Sequence, residues 1–139
     1  MAGVYISYPF CAQKCTYCNF ASGVFPAELE REYLAALCSE IAAQNWTWQP
    51  ETVYLGGGTP TLLAPELIAR LFTALRAEFV LEPDAEVTVE CAPGQLGDDS
   101  LEALAAQGVN RVSLGVQSFI DREAQVSGRL ANYVTSSAQ

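Results

Sequence analysis

β-type runs alternate with amphipathic helical runs along this sequence, and that alternation limits its fold more than any other feature. Four β-branched or aromatic runs occupy residues 4–8, 52–56, 86–90 and 111–117. The stretches between them are long enough for helices. Strand–helix–strand units at this spacing cross over with a right hand, and successive units share one parallel sheet. The sequence therefore predicts an α/β fold with parallel strands.

Three helical runs separate the predicted strands. The first begins at Pro26, a residue suited to the first helical position, and Pro65 begins the second. The third is short, with Asp98 or Asp99 as its cap and Gly108 at its end. Apolar residues recur at helical spacing in the two longer runs, at Leu34, Leu37, Cys38 and Ile41 and at Leu67, Ile68, Leu71, Phe72, Leu75 and Phe79.

The last two predicted strands alternate in a way that separates two faces of the sheet. One set is expected beneath the helices: Val87, Val89, Val112, Leu114 and Val116. The other set is expected on the open face, where a barrel interior holds a ligand: Thr88, Glu90, Ser113, Gly115 and Gln117.

Composition excludes several kinds of chemistry. Seven Lys and Arg residues face sixteen Asp and Glu, the net charge is −9 and Lys14 is the single lysine, so we expect no nucleic-acid partner. The absence of histidine excludes imidazole catalysis and histidine-ligated metals.

No apolar run reaches the roughly 20 residues of a membrane span, and no signal-peptide pattern is present. We therefore expect a cytoplasmic protein without a transmembrane segment.

Three of the five cysteines lie in the eight-residue string CAQKCTYC. Thiols stay reduced in the cytosol, so this grouping indicates a metal site rather than disulfides. Structural zinc takes four ligands, yet Cys38 and Cys91 stand apart, and a redox pair of Cys15 and Cys18 leaves Cys11 unused. An iron–sulfur cube held by three thiolates keeps one iron open for a substrate or cofactor. The spacing favours the cube, with zinc, a redox pair and chance clustering as the alternatives.

CAQKCTYC resembles the C-x3-C-x-Φ-C signature of radical S-adenosylmethionine (SAM) proteins, with Tyr17 as the aromatic residue. The resemblance implies that Cys11, Cys15 and Cys18 hold a [4Fe–4S] cluster whose fourth iron is chelated by the amino and carboxylate groups of SAM. It also implies one-electron cleavage of SAM to methionine and a 5′-deoxyadenosyl radical. The implied fold is a partial barrel of six parallel βα units, of which this chain carries about four.

Other residues match SAM contacts of the same superfamily. GGGTPT resembles the glycine-rich motif that meets the SAM amino group, although a tight strand-to-helix turn is the alternative interpretation. Glu90 matches an acidic ligand of the SAM ribose, with a solvated strand end as the alternative. Arg129 matches a carboxylate-binding arginine, with a solvated helix charge as the alternative. The full set of expected SAM contacts is Tyr5, Tyr17, Gly57, Gly58, Thr59, Glu90, Gln117 and Arg129.

The sequence resembles one branch of the superfamily more closely. The strings that carry this resemblance are YISYPFCAQKCTYCNF, LGGGTPTLL and GVNRVSLGVQSF. That branch holds the oxygen-independent coproporphyrinogen III oxidases and the radical SAM haem chaperones. The oxidases carry an extra cysteine two residues after the third, where Phe20 stands here. We therefore predict a haem chaperone that binds haem and delivers it to haem-dependent respiratory proteins. The alternatives are an oxidase that makes protoporphyrinogen IX, another radical SAM enzyme, or an inactive fragment.

The resemblance runs from about residue 4 to about residue 130. Residues 1–130 are thus predicted to form the N-terminal part of a radical SAM core domain, and residues 131–139 a divergent or truncated tail. The family continues through two further βα units and a C-terminal domain, and a dimer is one expectation for the parent protein. No residue is assigned a catalytic role.

Overall fold

The computed structural model describes residues 2–128 of the chain. Strands and helices alternate throughout this part. In chain order they are β1 (Gly3–Tyr8), α1 (Ala27–Ala43), β2 (Thr52–Gly57), a 3-10 turn (Pro60–Leu62), α2 (Pro65–Glu78), β3 (Glu86–Cys91), α3 (Asp98–Ala106), β4 (Arg111–Leu114) and α4 (Asp121–Val126).

The four strands form one parallel sheet in the order β1-β2-β3-β4, which confirms the predicted α/β fold. Residues in register form rows across the sheet. One row runs from Tyr5 through Tyr54 to Thr88, and two residues further toward the carboxyl ends, on the same face, Glu90 pairs with Ser113. Because all strands run the same way, the segments that follow them meet at one edge of the sheet, where ligands of parallel sheets bind.

The core lies between one face of the sheet and the packed pair α1 and α2. The predicted helical stripes are confirmed, because Leu34 and Ile41 of α1 are buried and the whole stripe of α2 is buried with them. Val87 and Val89 of β3 lie beneath these helices, as predicted. Within residues 2–128, no helix combines the length and the apolar character needed to cross a bilayer.

Helix ends differ from the predictions at two places. Gly97, not Asp98 or Asp99, occupies the position before α3, and no side chain caps that end. Both carboxylates instead lie in the first turn, where they interact favourably with the helix dipole. Gly108 does end this helix, with a φ of +81° that favours glycine. Pro26 lies one residue before α1 in extended backbone, so the helix begins at Ala27.

The fourth strand is shorter and more exposed than predicted. It ends at Leu114, although the Gly115 N–H still donates to the Cys91 carbonyl at 2.9 Å. Val112 and Leu114 are 39% and 56% exposed, so their predicted burial beneath helices is wrong. β4 is the last strand of the sheet within residues 2–128 and α3 packs against α2, which leaves this part of the sheet without a full covering layer.

Thr88 is fully buried, although it was expected to face open ligand space. Its neighbours in the row are two large side chains, Tyr54 and Arg111. Its hydroxyl donates to Glu86 Oε1 at 3.1 Å, and the same oxygen accepts from Arg111 at 2.7 Å. A small side chain between large neighbours is covered by them, so the face was predicted correctly and the exposure was not.

We predict that Phe72→Ala lowers the free energy of unfolding by about 3–5 kcal/mol, because Phe72 is fully buried and its removal leaves a cavity. Phe119→Ala is the matched control, since Phe119 is 69% exposed and its loss is expected to change stability by less than about 0.5 kcal/mol. Urea denaturation followed by circular dichroism measures both variants. An equal loss of unfolding free energy in Phe72→Ala and Phe119→Ala would show that Phe72 does not lie in the core.

Candidate functional site

A cavity of about 240 Å³ opens at the carboxyl ends of the strands. Its walls come from the cysteine loop (residues 9–26), the glycine turn (residues 56–59), the end of β3 and the segment after β4. Of the residues predicted to hold the cluster or SAM, those lining it are Cys11, Cys15, Tyr17, Cys18, Gly57, Gly58, Thr59, Glu90 and Gln117. Ser113 and Gly115, predicted on the open face of the sheet, line it as well. The fold therefore gathers into one space residues that lie far apart in the sequence.

Hydrogen bonds within the cysteine loop fold it back on itself. The Cys11 N–H donates to the Gly23 carbonyl at 2.8 Å, which ties the start of the loop to its end. The Lys14 ammonium donates to the carbonyls of Phe20 and Ser22, at 2.7 Å each. A charged donor to two carbonyls is stronger than a neutral one, so the single lysine of the chain stabilises this loop.

The C-terminal end of α4 braces the middle of the cysteine loop. The hydroxyl of Thr16 donates to the Ser127 carbonyl at 3.0 Å, and the side-chain amide of Gln13 donates to the Gly128 carbonyl. A Cβ on Gly128 would lie 2.9 Å from the Thr16 methyl group, so the two segments are in close contact. The loop is thus held from both its own ends and a distant helix.

The thiols of Cys11, Cys15 and Cys18 are free and half-buried in the cavity wall. Within residues 2–128, no three Cys, Asp or Glu side chains are arranged around a single metal ion. In a four-iron cluster each cysteine binds a different iron, so the sulfurs surround the cluster rather than one point. Three thiolates without imidazole are soft donors of the kind that iron–sulfur clusters take. The donor set fits such a cluster.

The other two cysteines have different surroundings. Cys38 packs against the core from α1, away from the cavity. Cys91, expected to stand alone beyond Glu90, is buried and also lines the cavity, with its sulfur 3.2 Å from the Ala92 carbonyl oxygen. Sequence reasoning missed this position, because its location depends on where β3 ends.

The glycine turn touches the start of the cysteine loop through backbone. The Gly58 N–H donates to the Tyr8 carbonyl at 2.6 Å, and the Thr59 N–H donates to the Phe10 carbonyl at 2.9 Å. A Cβ on Gly58 would lie 2.4 Å from the Phe10 carbonyl oxygen, which no side chain could tolerate. Gly57 has a φ of +108°, a region that favours glycine. Both glycines are therefore required by the local backbone, whatever they bind.

Two donors from β2 fix the Glu90 carboxylate at the base of the cavity. The Tyr54 hydroxyl donates to Oε1 at 2.7 Å, and the Gly57 N–H donates to Oε2 at 2.9 Å. A Cβ on Gly56 would lie 2.9 Å from the same carboxylate, so this glycine leaves the space that Glu90 occupies. A carboxylate can accept about four hydrogen bonds, so each oxygen keeps capacity for a ligand.

Tyr5 lies outside the cavity lining. Its ring stacks on Tyr54, with centroids 5.7 Å apart and an angle of 14° between the planes, and it is 61% exposed. Burial, followed by the nearby charge of Glu90, raises the pKa of Tyr5. Sequence reasoning missed Tyr54, and the available signal was its position on the strand next to Tyr5.

Two buried acceptors in the cavity wall have no partner within the described part of the chain. They are the side-chain carbonyl oxygens of Gln13 and Gln95. An unpaired buried acceptor is unfavourable, and a ligand that carries hydroxyl or amino donors would satisfy it. SAM carries both kinds of donor, so these residues fit it. Arg129, the remaining predicted contact, lies outside the described residues.

The chain matches the model of the radical SAM superfamily over residues 5–134. It is 39% identical over 132 residues to the "Heme chaperone HemW" of Synechocystis sp., a match that covers 90% of this chain and 32% of that protein. It is 38% identical over 142 residues to the "Oxygen-independent coproporphyrinogen III oxidase" of Bradyrhizobium diazoefficiens, covering 99% of this chain and 32% of that protein.

A solved structure described as "Coproporphyrinogen III oxidase (HemN) from Escherichia coli is a Radical SAM enzyme" matches with a TM-score of 0.87 and 32% identity. The match covers 99% of this chain and 33% of that one. The chain thus spans about a third of the length of these relatives. The family match covers nearly the whole sequence, and both the fold and the position of the cysteine loop in the cavity wall are consistent with it. The chain therefore belongs to the radical SAM superfamily.

Proposed function

We propose that this chain is the part of a haem chaperone that binds a [4Fe–4S] cluster and SAM. The observation that carries the proposal is the single cavity in which three thiols face the glycine turn and Glu90. Membership of the radical SAM superfamily implies both cofactors. Relatives named as haem chaperones support the cargo, which in this proposal is haem.

In the proposed site, Cys11, Cys15 and Cys18 hold the cluster and leave one of its irons for SAM. A cluster bound in this way supplies one electron for the cleavage of SAM. The protein holds the loop in place through Lys14 and excludes any side chain at Gly58, where the glycine turn meets the loop.

The SAM side of the proposed site draws on the end of β3, the glycine turn and parts of the cysteine loop. The remaining lone pairs of Glu90 accept hydrogen bonds from the ribose hydroxyls, and the glycine turn at Gly57, Gly58 and Thr59 meets the amino group. The unpartnered oxygens of Gln13 and Gln95 offer further acceptors. The other proposed contacts are Tyr17 and Gln117 from the lining, together with Tyr5 and Arg129.

Phe20 supports a chaperone over an oxidase. It lies two residues after Cys18, where the oxidases of the resembled branch carry an extra cysteine, and it is 72% exposed beside the cavity. The proposed partners are haem or a porphyrin and the respiratory proteins that accept haem, and the proposed location is the cytoplasm. Coproporphyrinogen III oxidation is the second candidate, because a relative of that name is 38% identical to this chain and a solved structure of that name shares its fold.

The cluster proposal predicts that the chain, reconstituted anaerobically with iron and sulfide, is brown and gives the EPR signal of one reduced [4Fe–4S] cluster. Replacing Cys11, Cys15 or Cys18 by Ala abolishes the signal, because each thiolate binds one iron. Cys38→Ala is the matched control and keeps it, since Cys38 lies against the core. One equivalent of zinc without iron in the purified protein would refute the cluster.

The SAM proposal predicts that Glu90→Gln weakens SAM binding to the reconstituted chain by about tenfold, because a hydrogen bond to a charged acceptor is lost. Titration calorimetry measures the affinity. Glu86→Gln is the control, since Glu86 lies on the same strand, pairs with Arg111 and does not line the cavity. Unchanged affinity in Glu90→Gln would assign Glu90 a structural role alone.

The choice between chaperone and oxidase predicts different products. The full-length parent protein, reconstituted with its cluster, is mixed with haem, and separately with coproporphyrinogen III and SAM. We expect haem to stay with the protein through gel filtration, and no decarboxylated porphyrinogen by mass spectrometry. Formation of protoporphyrinogen IX would refute the proposed chaperone function and support the oxidase function.

A further inference from the structure

Tyr54 joins two parts of the proposed SAM site without lining the cavity itself. Its ring stacks on Tyr5, and its hydroxyl donates to Glu90. It lies on β2, between the strands that carry those two residues. Neither the sequence motifs nor the roles proposed above include it.

The hydroxyl of Tyr54 decides how the Glu90 carboxylate is oriented. The terminal torsion of a glutamate side chain is broad and poorly defined by itself. The Gly57 N–H holds only Oε2, at 2.9 Å, and a carboxylate with one anchor still rotates about that contact. The Tyr54 hydroxyl holds Oε1 at 2.7 Å, and a second anchor on the other oxygen fixes the plane. The lone pairs left for a ligand are then fixed in direction.

Gly56 makes the meeting of these two side chains possible. A Cβ at this position would lie 2.8 Å from Cε1 of Tyr54 and 2.9 Å from Cδ of Glu90. Any other residue would push the phenol and the carboxylate apart. The first of the three consecutive glycines therefore contributes space rather than a ligand.

The phenol of Tyr54 stays a hydrogen-bond donor at neutral pH. Burial, and then its hydrogen bond to the Glu90 carboxylate, raise its pKa above the ordinary value, while a hydrogen bond with Ser113 acts in the opposite direction. A raised phenol pKa keeps the proton on the Tyr54 oxygen at neutral pH, so the hydroxyl remains the donor to Oε1 of Glu90.

We propose that Tyr54 is a positioning residue of the SAM site, whose hydroxyl fixes the Glu90 carboxylate so that its unused lone pairs are presented to the ribose hydroxyls of SAM. This role rests on the proposed function of Glu90. The ring of Tyr54 has a separate role, because it stacks on the exposed ring of Tyr5. Tyr54→Phe removes the first role and keeps the second.

A double-mutant cycle tests the proposal in the reconstituted chain, with SAM affinity measured by calorimetry. Tyr54→Phe is expected to weaken binding by about fivefold in the wild-type background, because the Glu90 carboxylate is then no longer held in one orientation before SAM binds. In the Glu90→Gln background it is expected to have no further effect, because the group it positions is gone. Tyr33→Phe is the matched control, since the Tyr33 hydroxyl donates to the Ser7 carbonyl at 2.6 Å outside the cavity.

The possible outcomes distinguish the positioning role of Tyr54 from the proposed binding of SAM by Glu90. If Glu90→Gln weakens SAM binding and Tyr54→Phe leaves it unchanged, the positioning role of Tyr54 is overturned and the proposed role of Glu90 stands. An equal loss in both backgrounds does the same, because it shows that Tyr54 acts independently of Glu90. A silent Glu90→Gln overturns the proposed function of Glu90 and the positioning role with it.

A second measurement needs no cofactor. The phenol of Tyr54 is followed by NMR in the chain labelled with ¹³C-tyrosine and assigned by its absence in Tyr54→Phe. We expect its pKa to fall in Glu90→Gln, because the carboxylate that holds the proton is replaced by an uncharged amide. An unchanged pKa would overturn the contact on which the positioning role depends.

Discussion

The approach of the glycine turn to the backbone at the end of β1 is the contact on which the rest of the site depends. Gly58 and Thr59 donate to the carbonyls of Tyr8 and Phe10, which continues the pairing of β1 and β2 beyond the sheet. This places the cysteine loop directly beside the turn. Because these are backbone contacts and a Cβ at Gly58 has no room, the approach of the glycine turn to the cysteine loop does not depend on side-chain rotamers.

Charge in the cavity favours a cationic ligand. Among the lining residues, the charged side chains are Lys14 and Glu90, and the lysine is turned toward carbonyls of its own loop. Thiolates at the three cysteines would add negative charge to the same space. A cavity of this character attracts cations, and iron, an ammonium and a sulfonium are all cationic. The strongly acidic chain as a whole adds to this field.

Local pattern predicted the elements and the parts of the site that lie within a few residues of each other. The alternation in β3 placed Val87 and Val89 correctly, and three closely spaced cysteines could be recognised without a structure. Alternation tells which face a residue is on, and it does not tell whether that face is covered. For that reason Leu114 was predicted buried and is exposed, while Thr88 was predicted open and is covered by its neighbours in the row. Tyr54 was missed because its contact with Glu90 spans 36 residues and depends on strand register.

The brace between α4 and the cysteine loop has a consequence for the order of events during synthesis. The residues it joins are 111 and 115 positions apart, with the loop near the start of the chain. A ribosome that adds roughly 5–20 residues per second completes this distance in on the order of ten seconds. The loop therefore leaves the ribosome long before the helix that steadies it. Cofactor insertion into a finished pocket belongs after translation of this region, and iron that reaches the nascent thiols earlier meets a loop held by its own hydrogen bonds and the glycine turn but not yet by α4.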